Sequence, residues 1–131
     1  MMRWTGMIIA CVLMVACFMP WVTIESKQIT VTGFNTDGTN YGKPGLVHLV
    51  VSSLYILLLL LNKSWSNRTA FFIGAINVAW SVRNFLIISA CYAGECPQKH
   101  FALYILLAAS ISAMLIFLIS DMRKRNTNIK Q

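Results

Sequence analysis

Apolar residues in this chain fall into four long runs, Trp4–Ile24, Pro44–Asn62, Thr69–Gly94 and Phe101–Ser120, divided by short polar stretches. Each is close to or above the roughly 20 residues that cross the hydrocarbon of a bilayer. The runs lack the dyad alternation of barrel strands, and backbone in lipid must satisfy its own hydrogen bonds, so they predict helices. The expected fold class is therefore an all-α membrane protein, a four-transmembrane-helix bundle with a short outer β-hairpin loop. Its spans lie at about 4–22, 45–62, 69–92 and 101–120. Residues 23–44 and 93–100 are then the outer loops and 121–131 a cytoplasmic tail, leaving no room for a second domain within 1–131.

The first run also resembles a lipoprotein signal at Met14-Val15-Ala16-Cys17. Apolar character continues through Phe18, Met19, Trp21 and Val22, however, so an uncleaved helix is expected, with Pro20 and Trp21 at its interfacial outer end. In the loop that follows, Val22–Glu25 and Gln28–Thr32 alternate β-branched and polar residues around Ser26-Lys27, which predicts the hairpin. Asp37-Gly38 marks a turn, and Pro44 suits the first turn of a helix. A lone hairpin is marginally stable, so it is expected to lean on the 95–100 loop or on the outer helix ends.

Composition agrees: 57% of residues are hydrophobic and only 11% charged, far more apolar than a soluble domain of this size. The net charge of +7 could suggest nucleic acid, but its placement argues for a membrane. Arg3, Lys63, Arg68, Arg123, Lys124, Arg125 and Lys130 share one side, against Lys27, Lys43 and Lys99 on the other. That bias puts both termini in the cytoplasm of a bacterial inner (plasma) membrane. The Arg123-Lys124-Arg125 cluster is expected to meet anionic headgroups. The sequons at Asn62 and Asn67 fall on the cytoplasmic side and are read as chance.

Gly33-Phe34-Asn35-Thr36, Gly42-Lys43-Pro44-Gly45, Ala79-Trp80-Ser81-Val82-Arg83-Asn84-Phe85 and Gly94-Glu95-Cys96-Pro97 together resemble a family of small four-span bacterial membrane proteins with no assigned activity. The resemblance implies the topology and adds no role to any residue. The loop layout is similar in architecture to claudin-like four-helix proteins, without the Trp and paired Cys that mark their first loop.

Arg83 is the one charge inside a predicted span, and a guanidinium in the bilayer is costly enough to signal a site or a clamp. At 1.5 Å per residue it sits roughly 13 Å below the outer end of its span. Asn77, Ser81 and Asn84 recur at near-heptad spacing beside it; His48, Ser52 and Tyr55 share one face of the second helix, and Ser110 lies at a similar depth on the fourth. These residues form the candidate ligand or lipid site. Arg83 is read first as an interhelical clamp and alternatively as an anion site. Small residues at four-residue spacing, Ala70/Gly74 and Ala75/Ala79 on the third helix and Ala108 to Ala113 on the fourth, predict a close pair of helices.

Cys91 and Cys96 lie too far apart for a thioredoxin-type motif and are read as a structural disulfide, with free thiols or a redox couple as alternatives. No metal-ligand cluster, phosphate loop or nucleophile elbow is recognisable, and neither a cofactor nor a nucleic-acid partner is expected. The functional expectation is a non-enzymatic membrane protein docking a partner protein or lipid through its outer loop and the Arg83 layer. The alternatives are an oligomeric small-anion or solute transport component and a thiol/disulfide redox protein.

Overall fold

The computed structural model describes residues 2–61 and 63–131. Asn62, the expected end of the second span and the first sequon, lies outside them. Among the described residues are four helices: α1 (Met2–Ala16), α2 (Pro44–Leu61), α3 (Ser64–Ser89) and α4 (Phe101–Ile129). Between and beside them lie three strands, β1 (Pro20–Ile24), β2 (Ile29–Thr32) and β3 (Gln98–Lys99). The helices α2, α3 and α4 are long and apolar enough to cross a membrane, whereas α1 is a shorter apolar helix of 15 residues.

The helices pack as an antiparallel ring in chain order, with α4 closing onto α1. Their buried faces follow a heptad-like seam. On α3 the seam is Ser66, Ala70, Gly74, Asn77, Ser81, Asn84 and Ile88, almost entirely small or polar. Phe72, Ile76 and Leu86 face outward instead. An inside of small and polar groups with an apolar outside suits a helix whose surroundings are hydrocarbon. Of the small residues expected on α4, Ala109, Ser110 and Ala113 are buried while Ala108 and Ser112 are exposed.

The first helix stops six residues short of the predicted span. Pro20 disfavours helical geometry at Met19, and the freed carbonyls at the end of α1 are satisfied by later chain. Trp21 Nε1 donates to Ala16 O at 2.9 Å, and Gly33 N donates to Cys17 O at 3.0 Å. Trp21 is therefore a fully buried core residue instead of an interfacial one. The sheet explains how: β1 pairs antiparallel with β2 through Val22–Val31, Thr23–Thr30 and Ile24–Ile29, with an irregularity between Pro20 and Val22. That bulge lets the consecutive residues Trp21 and Val22 both face inward, which regular pleating forbids.

The expected hairpin is thus present, joined by the single 3-10 turn Glu25–Lys27, with Gln28 left-handed at φ 51°. A third strand extends it: β3, from the connection between α3 and α4, pairs with β1 on the side away from β2. α3 begins five residues before the predicted span, and α4 runs unbroken through most of the predicted tail.

Two apolar clusters lie at different heights. One gathers Leu13, Trp21, Val22, Val31, Ile88, Leu103 and Leu106 under the sheet; the other gathers Ala10, Tyr55, Leu58, Leu59, Ala70 and Ala113 toward the opposite end. His48, Ser52, Asn77 and Asn84, buried polar residues of α2 and α3, lie between them. Arg3 closes the far end, its guanidinium donating to Leu59 O (3.1 Å from Nε) and Leu60 O (3.3 Å), the free carbonyls at the C-terminus of α2.

Candidate functional site

The seams of α2 and α3 bring four predicted residues into contact. Asn84 Nδ2 lies 3.4 Å from His48 Nε2, His48 Nδ1 lies 2.6 Å from Asn77 Oδ1, and Asn77 Nδ2 donates to Ser52 Oγ at 3.4 Å. An amide nitrogen only donates, so His48 Nε2 must accept and its proton must sit on Nδ1. The cluster then reads as a one-way chain, Asn84 to His48 to Asn77 to Ser52. All four side chains are buried, and the Trp21 indole meets the His48 ring nearly edge-on at 6.4 Å.

The other predicted members lie nearby without joining this chain. Tyr55 OH reaches across the ring to Ala113 O at 3.3 Å, and Ser110 Oγ donates to Leu107 O in its own helix at 2.8 Å. Ser81 Oγ is buried with no hydrogen-bond partner.

Arg83 is exposed on the outside of α3, its guanidinium 4.8 Å from the centroid of the Trp80 ring. It is not the centre of the polar layer; the centre is His48. Two geometric facts account for the difference. Arg83 is turned about 100° from Asn84, away from the seam. Its depth was also counted on the premise that all four helices end together, and they do not. Trp80 Nε1 donates to Pro44 O at 3.2 Å, so the start of α2 is level with Trp80 and Arg83 sits about one turn above it.

Above that level the loops at 23–44 and 93–100 are tied together. Cys91 and Cys96 lie at bonding distance, 2.01 Å between sulfurs, across a tight hairpin in which Tyr92 and Glu95 exchange both backbone bonds at 2.9 Å. Ala93 and Gly94 turn it with φ of 53° and 81°. Ser26 Oγ donates to Glu95 Oε2 at 2.6 Å, Gln98 Nε2 to Glu25 Oε1 at 2.6 Å, and Thr23 Oγ1 lies 2.7 Å from His100 Nε2. His100 therefore serves the sheet.

The sequence assigns no packing role to Arg3, Gly33 or Gly45. Gly45 N donates to Gly33 O at 2.7 Å, and a Cβ on Gly45 would stand 2.6 Å from that oxygen. The Gly-Phe and Pro-Gly dipeptides were the available signals. No group of three or more His, Cys, Asp or Glu that could hold a metal occurs among the described residues. A scan against models of protein families finds no match, and neither do searches of curated proteins and of solved structures.

Proposed function

We propose that the chain is a four-span protein of a bacterial cytoplasmic membrane, with both termini inside, that works without catalysis by docking a partner protein on its outer face. Support for the fourth span comes from the match in height between α1 and α2. Arg3 bonds the last carbonyls of α2, while Cys17 O is joined through Gly33 to Gly45 at its start, so the short helix covers nearly the same thickness. The exposed Trp4 and Trp65 suit the inner interface, and Trp80 with Arg83 suits the outer one. Trp65 to Arg83 is then roughly 27 Å at 1.5 Å per residue, against a hydrocarbon core of about 30 Å.

The observation that carries the docking reading is the cross-tied cap. A sheet, a hairpin closed at Cys91–Cys96 and three side-chain links, each spanning about seventy residues of sequence, make one preformed platform on the upper ends of α3 and α4. Sites on rigid elements lose little entropy when they bind. Tyr92, 66% exposed at the hairpin, has the aromatic character that anchors interfaces.

A photo-crosslinking side chain at Tyr92 in intact cells tests it. A discrete protein adduct is expected there and not at Trp65; adducts to lipid alone, or the same protein from both positions, would refute docking on the cap.

A further inference from the structure

At the end remote from the sheet, α3 and α4 diverge. Ala113 is the last buried residue of α4, and the α3 seam turns toward α2, where Ser66 Oγ donates to Leu58 O. The divergence opens a groove of about 690 Å³, within the size range of ligand sites. Its chemistry is graded along its length. Arg68, Lys124 and Arg125 lie nearer the helix ends and Phe71, Phe72 and Phe117 one to two turns further in, with Phe71 packed on both neighbours at ring distances of 5.9 and 6.0 Å. The one acid lining the groove, Asp121, pairs with Arg125 at 3.2 Å, so Arg68 and Lys124 supply the uncompensated charge.

We infer that this groove holds one anionic phospholipid of the inner leaflet, its phosphate against Arg68 and Lys124 and its first acyl methylenes on the phenylalanine rings. The inference rests on the proposed orientation, which puts this end of the bundle at the cytoplasmic headgroups. Basic pockets between helices on that side are a known setting for anionic headgroups, and a guanidinium fork fits a phosphate. A free anion would use the cations and leave the aromatic rings idle. The lipid uses both.

The test is native mass spectrometry of the full chain in neutral detergent, titrated with phosphatidylglycerol and with phosphatidylcholine of the same acyl chains. One bound phosphatidylglycerol is expected, favoured about tenfold over phosphatidylcholine. Arg68→Gln/Lys124→Gln is expected to abolish the preference, Phe72→Ser to weaken retention of the lipid, and Arg83→Gln, which removes a charge at the other end, to change neither. All of these side chains are exposed, and a cooperative thermal melt confirms that each variant folds. Equal retention of the two lipids, an unaffected Arg68→Gln/Lys124→Gln variant, or displacement by millimolar inorganic phosphate would overturn the proposal. Orientation is read separately with Thr127→Cys, which an impermeant maleimide should label only after the cytoplasmic side is opened. Labelling from outside would sink the topology while the lipid measurement stands on its own.

Discussion

His48 Nδ1 and Asn77 Oδ1 lie 2.6 Å apart across the α2–α3 seam, and this bond joins the amide chain above it to the serine below. Because both partners are buried, truncating either leaves the other with an unmet polar group, and such a group costs about 1–3 kcal/mol. Asn77→Ala and His48→Ala should each destabilise the protein on that order. His48→Ala/Asn77→Ala should cost less than the sum of the two single changes, with a coupling of about 1 kcal/mol, near the upper part of the range for polar pairs in membranes. Reversible denaturation in mixed detergent micelles measures all three. Strict additivity would mean that the two side chains do not act as a pair.

Gly45 should be the least replaceable glycine. A Cβ there would lie 2.6, 2.7 and 2.8 Å from the O, C and Cα of Gly33, all backbone atoms that cannot rotate away. Gly45→Ala is expected to cost upward of about 2 kcal/mol as overpacking. Gly74 makes the contrast, since its added methyl would meet only Tyr55 Cε2 at 3.8 Å, an ordinary contact. In mid-helix, exchanging Gly for Ala recovers roughly 0.5–1 kcal/mol, so Gly74→Ala should be neutral or stabilising. Paired thermal melts of the two variants decide the matter; a harmless Gly45→Ala would show that the crossing between the first loop and α2 is looser than drawn.

Much of this arrangement was legible from spacing. His48, Ser52 and Tyr55 at i, i+4 and i+7, and Asn77, Ser81 and Asn84 at near-heptad steps, identify two polar faces, and both faces are buried. Spacing alone did not say which residue met which, because the register between antiparallel helices is set by packing along their whole length. Depth was misjudged for the same reason, as α3 rises beyond α2 and carries Arg83 with it. Trp21 and Val22 misled in another way. Hydropathy measures avoidance of water and does not separate a side chain facing lipid from one packed beneath a sheet. The two residues of β3, Gln98 and Lys99, carry no strand signature at all; they pair because the disulfide-closed hairpin delivers them beside β1.

The placement of Arg83 makes its own prediction. A guanidinium over an exposed-side indole contributes roughly 0.5–1 kcal/mol, so Arg83→Gln should leave the fold intact with a small loss of stability. Trp80→Phe should cost more, because it removes the donor to Pro44 O as well as the better cation partner. The order of the two melting temperatures is the readout. A collapse of Arg83→Gln alone would restore the guanidinium to a buried role.

The Cys91–Cys96 closure yields the last expectation. Of the four cysteines, Cys11 and Cys17 are free, so alkylation in denaturant should add two labels before reduction and four after it. Closing so small a loop contributes about 2 kcal/mol on the chain-entropy estimate. Most of that should act on the cap and little on the helix ring, since the hairpin's partners are Ser26 and β1. Cys91→Ser/Cys96→Ser is therefore expected to speed proteolytic cleavage within residues 92–99 severalfold while leaving the helical circular dichroism unchanged. Hydrogen exchange at Thr23, whose amide faces Gln98, should rise along with it. Four labels before reduction would remove the disulfide. Unchanged exchange at β1 would instead show that the sheet holds its third strand without help from the hairpin, and the cap would lose its main claim to rigidity.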